Sequence, residues 1–174
     1  MRAVVDTNVV LVANAAHAGA SPGCVLACIE RLQALMQRGC VVIDDGFRIL
    51  DEYQRKTAPM RNKGPGDVFV RWVLQNRSNV QRVEAVTLVE AASDRFEGFP
   101  DAQLQAEVDV PDRKFIAVAA AHADCPPIWQ ATDCKWLDWW QRLAAQALSS
   151  CVRMMSAAST AVSFRSARCC RCHD

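Results

Sequence analysis

No apolar stretch of this 174-residue chain is long enough to span a bilayer; the best candidate, residues 115–123, is short and flanked by charges. The N-terminus offers no apolar leader, because Val4 and Val5 are followed at once by Asp6, so a cytoplasmic chain is the expectation. Histidine is scarce, with three in all, and no Ser-His-Asp set can be assembled. No Gly-x-x-x-x-Gly-Lys loop is present, which removes the P-loop nucleotide-hydrolase class. Net charge is only +1, so overall charge gives no nucleic-acid signature. That balance is uneven: residues 1–150 hold 16 basic and 18 acidic side chains, and residues 151–174 hold four arginines and one acid.

About half of the residues are apolar, which fits a globular domain. Nine cysteines are many, yet an odd number without an export signal does not read as a disulfide framework. Cys24, Cys28, Cys40, Cys125 and Cys134 read as small buried hydrophobes. Cys151, Cys169, Cys170 and Cys172 crowd the C-terminal segment. Their adjacency, with no second spaced pair, is a poor zinc pattern. Residues 1–150 are therefore expected to form one domain, and residues 151–174 an irregular tail with few large apolar groups.

Apolar runs alternate with helical patterns along the chain. Ala3-Val4-Val5 predicts a buried strand that ends at Asp6-Thr7-Asn8. Ser21-Pro22 predicts the start of a helix carrying Val25, Leu26, Ile29, Leu32, Leu35 and Met36, stopped by Gly39. Val41-Val42-Ile43 predicts a second strand. Ile49, Leu50 and Tyr53 predict a helix that also bears Glu52. Residues 57–66 read as a polar loop, after which Asp67 caps a helix running to about Arg77. Residues 83–88 read as a short strand, and residues 92–110 as an acidic, irregular segment with one helical turn near Leu104. Pro111 opens a clear helix with Asp112 in its first turn, Ile128 to Ala131 form a strand, and Lys135 begins a last helix containing Trp136 and Trp140, with Trp139 on its exposed side. This alternation predicts an α/β fold with a mainly parallel central sheet.

Sites in such sheets form beyond the C-terminal strand ends. Asp6 and Asp133 follow strands there, Asp112 opens a helix, and Glu52 lies on a helix after the second strand. Each acid alone has a plain role: Asp6 and Asp133 as helix caps, Asp112 as a first-turn acid, Glu52 as a solvated helix residue with Asp51 beside it. Brought together, four carboxylates need a cation or must take up protons. A hard, oxygen-rich donor set suits Mg²⁺ or Mn²⁺. Arg55, Lys56, Arg61 and Lys63, with Gly64 and Gly66, form a basic loop suited to phosphates, or simply to solvent.

These residues resemble a known family, the PIN-domain nucleases. Val4-Val5-Asp6-Thr7-Asn8-Val9 is similar to its first motif, Leu50-Asp51-Glu52-Tyr53 to its second, Asp112-Arg113-Lys114-Phe115-Ile116-Ala117-Val118-Ala119 to its third and Ala131-Thr132-Asp133 to its fourth. The likeness spans residues 1–148. It implies a three-layer α/β/α sandwich and hydrolysis of RNA, or less often DNA, with Mg²⁺ or Mn²⁺. Asp6, Glu52, Asp112 and Asp133 would be its metal and catalytic acids, with Asn8 and Thr132 as polar supports. Many small bacterial members are toxins with an antitoxin partner, so an antitoxin and a homodimer are partners to expect besides an RNA substrate. A PIN-like module that binds RNA or protein without cutting is the rival reading, and the presence of all four acids speaks against it. The segment between Glu52 and Asp112 is long for a minimal toxin. Residues 147–155 make a poor match to the family's closing strand.

Overall fold

The computed structural model describes residues 1–133, 135–143 and 152–154. Five parallel strands form the central sheet: β1 (Arg2–Val5), β2 (Cys40–Asp44), β3 (Val83–Val86), β6 (Ile128–Gln130) and β7 (Val152–Met154), in the order β3-β2-β1-β6-β7. A separate antiparallel hairpin joins β4 (Glu90–Ala92) to β5 (Arg95–Phe96). The helices are α1 (Thr7–Ala13), α2 (Pro22–Arg38), α3 (Arg48–Lys56), α4 (Pro65–Asn76), α5 (Ala102–Glu107), α6 (Val110–Ala121) and α7 (Lys135–Leu143).

Every residue of β2 and β6, and Ala3 to Val5 of β1, is buried. Side chains alternate between faces along a strand, so complete burial means that both faces of the sheet are covered. The chain is thus an α/β protein with a parallel sheet flanked by helices, an arrangement compatible with three layers. Helices α1, α2 and α4 pack on one another, while α6 lies against β1, β2 and β6. Seven successive residues of α6, Arg113 to Ala119, are buried, as expected of a helix enclosed on all sides.

Local chemistry sets the element boundaries. The Ser21 hydroxyl accepts from Cys24 N at 3.2 Å and Pro22 occupies the first turn of α2, whose Cys24, Cys28, Leu32 and Leu35 form the buried stripe. Asp44, the last residue of β2, is fully buried and accepts from Arg48 N (2.8 Å) and Ile49 N (3.0 Å), which ties the end of the strand to the start of α3. The Tyr53 hydroxyl of α3 donates to the Val5 carbonyl at the end of β1. Two sheet strands are thereby locked to the helix that carries Glu52.

Several sequence expectations need correction. Asp67 does not cap α4, which starts at Pro65; its carboxylate accepts from Ala58 N at 2.9 Å, and the Gly66 and Asp67 amides bind Asn14 Oδ1 at 2.8 and 3.2 Å. Residues 92–110 contain the helical turn expected near Leu104, as α5, but are more ordered than the rest of that expectation. The hairpin and α5 organise them, because the buried Gln105 amide bonds the main chain of Phe96 through both of its ends, at 2.6 and 3.3 Å. Trp139 is buried rather than exposed, edge-on to Trp136 with ring centroids 5.6 Å apart. The stretch expected to make a poor strand contains β7, paired in parallel with β6. The sheet therefore extends past residue 150; residues 155–174, with the clustered tail cysteines, lie outside the described residues, as do the Trp140 side chain and Cys134.

Candidate active site

The chain leaves β1 for β2 and β3 on one side and returns through β6 on the other. The order therefore reverses between β1 and β6, and ligands of open α/β sheets bind in the crevice beyond the strand ends at such a point. Asp6 sits at that point. Its N–H donates to the Trp129 carbonyl of β6 at 2.9 Å, across the β1–β6 seam. As N-cap of α1 it accepts from Asn8 N through Oδ1 at 2.7 Å. Its other oxygen, Oδ2, is buried and has no hydrogen-bond partner.

Glu52 reaches the same place from α3. Thr7 Oγ1 donates to Glu52 Oε1 at 2.6 Å, and Lys114 Nζ forms an ion pair with Glu52 Oε2 while also donating to the Pro111 carbonyl. Asp112 comes from the first turn of α6. Asp6, Thr7, Asn8, Glu52, Asp112 and Lys114 line one cleft of about 560 Å³, walled on its outer side by Arg48, Asp94, Phe96 and Val110, with Arg55 and Lys56 also on its lining.

Asp133 stands outside that lining. Its Oδ1 accepts from Lys135 N at 3.0 Å, so it starts α7, and its carbonyl accepts from the buried Gln130 side chain at 2.9 Å. Its charge still reaches the cleft. Asp112 is pushed up to about 6, first by burial, then by Asp133 and Asp109, against the opposing effect of Lys114, with Glu52 adding to the rise. Asp6 is pushed up to about 8, first by burial, then by Asp112, against the Asn8 N–H, with Glu52 and Asp133 adding. Four acids from four separate elements thus share one electrostatic field, in which Asp112 ionises only near pH 6 and Asp6 only near pH 8. Perturbation of this kind inside a cleft marks a candidate functional site.

Among the described residues no three His, Cys, Asp or Glu side chains are already gathered around a single point. Both oxygens of Glu52 are occupied by Thr7 and Lys114. A magnesium-type cation needs no preformed cage: it keeps several waters and takes one or two carboxylates directly. Asp6, whose orphaned Oδ2 faces no other donor, and Asp112 on the same cleft lining supply such a pair. Asp6 and Asp112 are thus the residues that could hold such a cation.

Asn8 supports Asp6 through its backbone N–H and lines the cleft. Thr132 is engaged elsewhere: its hydroxyl bonds the Ala131 carbonyl at 2.6 Å and lies 3.2 Å from His17 Nε2. Arg55 and Lys56 line the acidic cleft, while Arg61 and Lys63 line a neighbouring groove together with Lys56. Sequence reasoning passed over Thr7 and Lys114. Their signals were a hydroxyl directly after Asp6 and a lysine directly before the apolar run Phe115 to Ala119, two residues after Asp112. It also passed over the outer wall, which Arg48 braces by pairing with Glu90 at 2.6 Å and packing over the Phe96 ring.

Comparisons with protein-family models, with curated proteins and with solved structures gave no match.

Proposed function

We propose that this chain is a PIN-like nuclease that hydrolyses phosphodiester bonds of single-stranded RNA with Mg²⁺ or Mn²⁺. The observation that carries the reading is the buried, unpartnered Oδ2 of Asp6, at the point where the strand order reverses and in the field of three further acids. Asp6 and Asp112 hold the cation. Asp133 adds negative charge to the field of the cleft and fixes the start of α7. Thr7 and Lys114 hold Glu52 in place, and the Lys114 ammonium is a fixed positive charge beside the position where a phosphate gains charge. A bound divalent cation contributes an acidified water and neutralises charge on the phosphate.

Calorimetric titration with Mn²⁺ at pH 7 tests the reading. Binding to wild type should release about one proton per ion, because Asp6 must ionise to ligate, and Asp6→Asn should abolish both the heat and the release. A wild type that takes up no Mn²⁺ would favour the non-cutting module.

A further inference from the structure

Lys56, Arg61 and Lys63 border a second groove of about 810 Å³, which shares Leu11 and Lys56 with the acidic cleft. Lys56 lies one helical turn beyond Glu52 on α3, so the two spaces meet along one helix face. The loop over residues 57–64 is braced from within. Arg71 donates to the Pro59 and Asn62 carbonyls, the buried Asp67 accepts from Ala58 N, and the Thr57 hydroxyl donates to the Tyr53 carbonyl at 2.7 Å. Arg71 and Asp67 are thus committed to the loop backbone, whereas Arg55, Lys56, Arg61 and Lys63 are all exposed and, among the described residues, form no ion pair. Arg2, Arg48, Lys114, Lys135 and Arg142, by contrast, are each paired with a carboxylate.

A rigid loop that presents unpaired cations to a groove leading into an acidic cleft is a complementary surface for a chain of phosphates. We propose that this groove binds the sugar–phosphate backbone of a single-stranded polynucleotide beside the scissile bond, which makes the protein selective for internal cleavage of oligonucleotides over dinucleotides. The inference deepens the nuclease reading and stands on it. Its residues touch phosphates flanking the reaction, so they govern binding while the acids govern cleavage. An exposed ammonium that contacts a phosphate releases a counterion, and for single strands each such contact contributes about 0.7 to the slope of log affinity against log salt. Three contacts in the groove and a fourth from Arg55 on the adjoining cleft give a slope of about −3.

The test is fluorescence anisotropy of labelled single-stranded RNA and DNA 12-mers in EDTA, where no cleavage occurs, over a range of NaCl concentrations. Wild type should bind with a slope of about −3, and the triple variant Lys56→Ala, Arg61→Ala, Lys63→Ala should bind at least tenfold more weakly with a slope reduced by about 2. Arg2→Ala, whose partners lie elsewhere, should bind as wild type. Cleavage by wild type should show a KM that falls from dinucleotide to 12-mer. RNA and DNA binding alike would assign recognition to the phosphates, and RNA alone would add a contact to the 2′-hydroxyl. Unchanged affinity and slope in the triple variant, no binding by wild type, equal binding of a duplex, or displacement of the 12-mer by polyglutamate at equal charge would each overturn the proposal, the last by making the groove a site for an acidic protein segment. Asp6→Asn separates the two claims: it should bind the 12-mer and fail to cut it.

Discussion

Replacing Asp6 by Asn should make the cation-free protein more stable at pH 8, although it removes a carboxylate proposed to hold the cation. Asp6 has an ordinary value of 3.8 and is pushed up to about 8 in the fold, first by burial and then by Asp112. The folded state therefore binds more protons than the unfolded chain between these values, so stability falls as pH rises. The contribution is complete below 3.8, is lost progressively up to about 8, and is constant above it. Between pH 5.5 and 8 the loss is about 3 kcal/mol, at 1.36 kcal/mol per pH unit. Asp112 titrates in the same direction, but its window closes near pH 6 and adds little there. In a chain of this size 3 kcal/mol corresponds to roughly 6–12 °C in Tm. Asn retains an oxygen for the Asn8 amide and carries no charge, so Asp6→Asn should show little of the decline. Thermal melts in EDTA at the two pH values measure this directly. Wild type should melt lower at pH 8 than at 5.5, the variant should melt above wild type at pH 8, and Mn²⁺ at a hundredfold excess over its Kd should return about 2.7 kcal/mol to wild type alone. A variant less stable than wild type at pH 8 in EDTA would refute the assigned origin of the strain.

Other perturbations probe the surrounding structure. Lys114→Met leaves the half-buried Glu52 without its cation, which should cost about 2 kcal/mol in urea unfolding with EDTA present, part of it recovered with Mn²⁺; no loss would show that the pair is unimportant. A Cβ on Gly66 would stand 2.2 Å from the Val10 carbonyl oxygen, so Gly66→Ala must push α4 from α1, and a loss of about 1–3 kcal/mol is expected in the same assay. Truncation after Ser150 removes β7 and bares the edge of β6, so its melting temperature should fall; an unchanged melt would mean that this pairing adds nothing. Tyr53→Phe removes the hydroxyl that joins α3 to the end of β1, and about 1 kcal/mol should be lost along with part of the activity, because Glu52 rides on that helix.

Much of the scaffold is written in local pattern. Ser21-Pro22 and Gly39 bracket α2 because capping chemistry acts within a few residues. Cys40–Asp44 reads as a buried strand because every position is apolar until the cap at Asp44. Asp6 and Asp112 are findable because each falls at a helix start, and Glu52 because it lies on the helix that follows the second strand; the structure brings those three to one cleft. What local pattern conceals is side-chain reach. The carboxamide of Gln105 organises β5 through two bonds that no periodicity signals. Thr132 follows β6 with a left-handed backbone at φ 66°, and its hydroxyl lies against His17. Lys114 reads as a surface cation until Glu52, 62 residues earlier, is seen to be its partner. β7 is short and weakly patterned, and becomes a strand because β6 offers it an edge.

The most direct test of the whole account is cleavage of single-stranded RNA by wild type and Asp6→Asn prepared side by side. The account predicts that wild type cuts internally with Mn²⁺ or Mg²⁺ and is silenced by EDTA, and that the variant, still folded by its melt, is slower by orders of magnitude. Equal cleavage by both preparations would contradict it.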